Sequence, residues 1–239
     1  GSDQALERLG VPIEVINVPP GGVVGREDSA VAGTRTTAAD LGFNKASSLP
    51  YDHFGLETGT PLHETGGTFE FLLSYNLDLY AIKKSGTDSG STEVHVLSAA
   101  SNYQQYSLNT GTALEETDDR WSFALFGQGH VVGIKKSGTD SGMTELHFLD
   151  AGTRYQSFSR HVVTALHQTD GTYRMLMQTL GDLYVIKKAG TASGKTEVHA
   201  LTWGSGYQQF RVHTPTVLPP TDGSIDFQIQ PRSPDPDLY

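Results

Sequence analysis

Glutamate and histidine recur two residues apart three times in this chain, as Glu93 and His95, Glu145 and His147, and Glu197 and His199, always within a Thr-Glu-x-His run. In an extended strand, residues two apart project from the same face, so each pair sets a carboxylate beside an imidazole. Such a pair can hold a metal, relay a proton or hydrogen-bond a hydroxyl-rich ligand. For a metal, one histidine and one carboxylate per copy fall short of a coordination shell, and no two histidines are closely spaced along the sequence. The expectation is therefore of satisfied, partly buried histidines, with no metal and no cofactor.

A sugar suits the remaining polar groups better, because its hydroxyls take charged or amide partners while its apolar ring face stacks on an aromatic side chain. The candidate sugar-binding set in the first copy is Lys84, Thr87, Ser89, Glu93, His95, Tyr103 and Gln104. Its counterparts are Lys136, Thr139, Ser141, Glu145, His147, Tyr155 and Gln156, then Lys188, Thr191, Ser193, Glu197, His199, Tyr207 and Gln208. Trp203, whose counterparts are Ala99 and Ala151, adds a stacking platform or a local packing change in one copy. The competing, architectural reading pairs Lys83 with Glu93 across two strands, an ion pair worth about 0.2–1 kcal/mol that would fix register in each repeat.

These residues belong to a repeat that organises the chain. Ile82 to His95, Ile134 to His147 and Ile186 to His199 are three versions of one fourteen-residue run, ten positions identical throughout, at a spacing of 52 residues. The same offset aligns Thr60, Thr112, Thr164 and Thr216, and then Phe69, Trp121, Tyr173 and Ile225. Apolar residues at every second position predict strands near 69–75, 78–84, 92–97 and 103–108, with Gly86 and Gly90 bracketing the second turn. The spacing places Lys83 opposite Glu93 and Ile82 opposite Val94.

Four short strands per unit of this length predict an all-β, four-bladed β-propeller of about 52 residues per blade. The repeats span 60–111, 112–163 and 164–215. Residues 216–230 and 23–59 would share a split blade that closes the ring, completing one domain over 23–230. An N-terminal arm, 1–22, and a C-terminal tail, 231–239, lie outside it. First strands would line the channel with Glu70, Ser122, Arg174 and Asp226, a set that reads as solvated lining rather than as a glycosidase pair.

Of 239 residues, 27 are acidic and 17 basic, giving a formal net charge of −10, which disfavours nucleic acid as a partner. The absence of cysteine excludes disulfides, thiol nucleophiles and thiolate metal sites. No apolar run has the length of a spanning helix, so membrane insertion is not expected. No nucleophile elbow, phosphate loop or zinc-protease motif occurs, and the expectation is of a protein that is not an enzyme.

In its repeat length, strand pattern and near-identical copies, the chain resembles the small-blade propeller lectins, the tachylectin type and related fungal and bacterial sugar-binding propellers. A closed four-blade ring also resembles the hemopexin fold, although the I-K-K-x-G-T-x-S-G-x-T-E-x-H run departs from the hemopexin blade motif. The resemblance implies a secreted or extracellular lectin binding glycans or glycoconjugates through equivalent, multivalent sites. The alternative is a noncatalytic scaffold from a larger secreted protein, holding a protein partner at one mouth of the ring. Fold alone does not choose between them.

Overall fold

The computed structural model describes residues 56–127, 129–221, 223 and 225–229. The expected N-terminal arm, nearly all of the N-terminal part of the split blade and the C-terminal tail lie outside the described residues. The rest is all-β. The first sheet contains β1 (Phe69–Leu73), β2 (Leu79–Lys83), β3 (Ser91–Leu97) and β4 (Tyr106–Glu115). The second contains β5 (Trp121–Phe126), β6 (His130–Lys135), β7 (Met143–Leu149) and β8 (Phe158–His167). The third contains β9 (Tyr173–Met177), β10 (Leu183–Lys187), β11 (Glu197–Leu201) and β12 (Phe210–Pro215). Each is a four-stranded antiparallel meander with its strands in chain order.

The pairing places Lys83 opposite Glu93 and Ile82 opposite Val94, with the same register in the other two sheets. The fourth strand departs from expectation. It begins at Tyr106, Phe158 or Phe210 and, in the first two sheets, runs past the expected repeat boundaries to Glu115 and His167. Tyr103 lies instead in a turn that follows the short 3-10 helix Ala99–Ser101. Asn102 and Tyr103 are both left-handed, as are Arg154 and Tyr155, and Gly206 and Tyr207. Tyrosine favours strands, which makes the run read as extended. Left-handed backbone is unfavourable for it, yet Tyr155 and Tyr207 are held there by burial and by hydroxyls that donate to the Gly129 and Gly181 carbonyls, each at 2.7 Å.

Alternation gives the second and third sheets two packed faces each, and the first sheet one. Ile82, Val94 and Val96 of the first sheet pack with Phe123, Val131 and Leu149 of the second. Val132, Ile134, Leu146 and Phe148, on the second sheet's other face, pack with Met175, Leu183 and Val185 of the third. Tyr184, Ile186 and Val198 then cover Phe227, Ile225 and Ile229. A burial of this size, at about 25 cal/mol per Å² of apolar surface, is what joins the sheets. Gly133 stands where the other sheets have Ala81 and Val185, because a Cβ there would lie 3.2 Å from the Trp121 ring.

Candidate functional site

Glu93, Glu145 and Glu197 lie near the end of the second-to-third-strand turn in each sheet, and each carboxylate is oriented by a serine of that turn. Ser89, Ser141 and Ser193 donate to Oε1 of their glutamates at 2.9, 2.7 and 2.7 Å. The other carboxylate oxygen faces the histidine two residues on, with His95, His147 and His199 Nε2 at 3.5, 3.6 and 3.7 Å. The lysines opposite do not close the expected ion pairs. Lys135 and Lys187 lie over the Trp121 and Tyr173 rings, 5.8 and 5.6 Å from their centroids, where the apolar stem and the charge both find a partner.

The fourth strand supplies what sequence spacing did not reveal. Across from His95, His147 and His199 stand Asn109, His161 and His213. His147 and His161 stack at 4.2 Å between ring centroids, and His199 and His213 meet edge to face at 4.4 Å. An aromatic residue completes each group: Tyr106, Phe158 and Phe210 sit 6.0, 6.0 and 6.2 Å from the histidine centroids. Phe158 and Phe210 are 41% and 39% exposed. The signal for these residues was present in the 52-residue offset, which aligns Tyr106, Phe158 and Phe210 and also Asn109, His161 and His213.

Burial of His147, together with the neighbouring His161, lowers its pKa to about 4, so the ring is neutral at ordinary pH. Burial also lowers His95 and His199. For Glu145, burial acts to raise the carboxyl, but the Ser141 hydroxyl and the two histidines outweigh it and hold it below the usual range. Each group therefore combines a carboxylate with a neutral imidazole beside an aromatic ring.

Other members of the expected set serve the framework. Thr87 donates from its amide and its hydroxyl to Glu116, at 2.7 and 2.8 Å, while Thr139 and Thr191 bond the Met143 and Lys195 carbonyls within their own turns. Tyr155 and Tyr207, 3% and 0% exposed, offer no ring to a ligand. The Gln156 and Gln208 amides donate to Gly111 and Val163 carbonyls of the preceding sheet. Tyr103 donates to the Leu77 carbonyl at 3.0 Å. Trp203 packs between sheets, with Phe126 at 4.8 Å and the Arg160 guanidinium at 4.5 Å over its ring, and so is not a free platform.

Lys84 and Lys136 turn away from the glutamate–histidine groups, as alternation with Lys83 and Lys135 requires. They act instead on Glu70, whose carboxyl is raised by burial against the pull of the Phe123 N–H and these cations. Lys188, at the matching position, likewise follows Lys187 by one residue. Glu70 and Arg174 are close enough to interact, and Arg174 pairs with Asp226 at 3.4 Å, so three of the four residues expected to line a channel are neighbours. Comparison with known proteins finds no matching family model, no matching curated protein and no matching solved structure.

Proposed function

We propose that the chain is a multivalent carbohydrate-binding protein, a four-bladed β-propeller lectin that acts outside the cell on displayed glycans. The observation that carries this reading is the recurrence, in all three described sheets, of a serine-held carboxylate and a neutral histidine beside Tyr106, Phe158 or Phe210. Phe158 and Phe210 are exposed and Tyr106 partly so, and the same place in each sheet carries the ring. A sugar ring stacked there would bring its hydroxyls to the glutamate Oε2 and to Asn109, His161 or His213. Weak sites repeated in this way gain strength on a polyvalent surface.

The propeller arrangement is supported by the way first strands meet. A cavity of about 290 Å³ is lined together by Leu72, Ala124, Leu176 and Gln228, one residue from each first-strand position. Phe71 and Leu73 of β1 are 46% and 49% exposed, whereas their counterparts Phe123, Met175 and Met177 are buried. A fourth blade would cover that apolar face.

The test is a glycan array followed by calorimetric titration of any hit. The reading expects at least three equivalent sites per chain, lost in the triple variant Tyr106→Ala, Phe158→Ala, Phe210→Ala with folding retained. A blank array, or binding that survives the triple variant, overturns it, and a blank would turn attention to a protein partner.

A further inference from the structure

Among the described residues, the second sheet contains a three-donor cluster that the other sheets do not reproduce. Glu145, His147 and His161 each direct one ligand atom into a space where all three lie within 4.8 Å of one another. Glu145 Oε2 is 3.6 Å from His147 Nε2 and 3.4 Å from His161 Nε2. The edge of a tetrahedron of zinc ligands, at Zn–N and Zn–O bonds near 2.1 Å, is about 3.4 Å. The two glutamate–histidine separations match that edge, and closing the site requires the His147 and His161 rings, stacked at 4.2 Å, to turn until both nitrogens point at the ion.

We propose that Glu145, His147 and His161 bind a divalent transition-metal ion of the zinc class, one per chain, in the second sheet. His147 Nε2 is buried and makes no hydrogen bond, so its lone pair is available and its desolvation has already occurred on folding. Ser141 holds the distal oxygen of Glu145 at 2.7 Å, the kind of outer contact that orients a ligating carboxylate. Trp121, 4.9 Å from the His147 ring, closes one side. His161, its side chain 52% exposed, leaves the opposite side open, so a fourth position would be filled by water or by an external ligand.

The sibling groups explain why the cluster is found in one of the three described sheets. Asn109 stands at the His161 position in the first sheet and removes a donor that neutral imidazole supplies well. In the third sheet His213 Nδ1 lies 3.2 Å from His199 Nδ1, so the two rings are engaged with each other. This inference goes beyond the sugar-binding reading and does not depend on it.

The experiment is calorimetric titration of the chelator-stripped full chain with zinc chloride in the absence of glycan, with Co²⁺ substitution read by visible absorption. The wild-type chain should bind one ion tightly and give a tetrahedral cobalt spectrum. His161→Asn, which copies the first sheet's own residue at an exposed position, should weaken binding by more than about a hundredfold and abolish that spectrum, since even outer-contact changes cost 10- to 100-fold. Ser141→Ala should weaken it by about tenfold, and His213→Asn should leave it unchanged. Metal-free melting of each variant at the wild-type temperature shows that the fold is intact. Absence of binding by the wild type, equal binding by His161→Asn, or an equal loss in His213→Asn would overturn the assignment.

Discussion

The Thr117 N–H donates to the Lys84 carbonyl at 2.7 Å, tying the segment that leaves β4 to the end of β2. Thr169 with Lys136 and Thr221 with Lys188 repeat the bond at 2.8 Å. Beneath it, Thr92 donates to the Glu115 carbonyl at 2.9 Å and meets the Thr117 hydroxyl at 3.3 Å, the two threonine side chains being buried. Thr92→Val keeps the shape but removes the hydroxyl's bonds to the Glu115 carbonyl and the Thr117 hydroxyl. It should cost about 0.5–1.5 kcal/mol, lowering Tm by about 2–4 °C per kcal/mol in a chain of this size. An unchanged melting curve would show that the hydroxyl contributes nothing there.

Tyr207 and Phe158 both follow the same short helical turn of their sheets, yet they should respond in opposite ways. Tyr207→Phe removes the hydroxyl that satisfies the Gly181 carbonyl and should cost about 1 kcal/mol while leaving glycan binding intact. Phe158→Ala acts on a ring 41% exposed and should change stability much less than a core truncation, while weakening binding. Denaturant titration beside glycan affinity for the two variants checks this. A binding loss in Tyr207→Phe would place the tyrosine in the site after all.

These contrasts show what sequence conveyed. Register was legible because Lys83, Glu93, Ile82 and Val94 are bound by one turn, so counting along the chain fixes which residues oppose each other. Tyr103 was misread because strand-forming composition masks two successive left-handed residues, which the backbone bonds of the turn to Ser98 and Ala99 and the bond from the tyrosine hydroxyl to Leu77 hold in place. His161 was overlooked for a different reason. Its closeness to His147 is created by strand pairing across fourteen positions, and in the first copy Asn109 breaks the pattern of identity that drew attention to Glu145 and His147.

Acid should destabilise the chain, beginning near pH 6.5. His95 is lowered by burial, against Glu93 and Asn109 but with Lys83, and His199 is lowered by burial and by His213 and Lys187, against Glu197. The unfolded chain therefore binds protons at these sites before the folded chain does, and stability present above the ordinary value of 6.5 is lost as pH falls through their depressed folded values. Glu70, raised by burial, acts in the opposite sense, but only from its ordinary value of 4.5 upward to its folded one. Denaturant midpoints measured with chelator present should fall between about pH 7.5 and 5.5, and His95→Gln should flatten that slope. A midpoint that rises over this interval would refute the assignment.

Whether a further blade packs on β1 can be tested on the full chain. If one does, Phe71 is a core residue like Phe123, and Phe71→Asp would bury an unpaired carboxylate. The expected loss is then about 3 kcal/mol or more. If the face remained open to water, a substitution at a residue 46% exposed would fall within about 0.5 kcal/mol of neutral. Chemical denaturation distinguishes the two, and Phe123→Asp supplies the scale, since Phe123 is 3% exposed between the first and second sheets. Equal, large losses at both positions support a fourth blade over β1, whereas a neutral Phe71→Asp beside a severe Phe123→Asp would mean that nothing packs on that face.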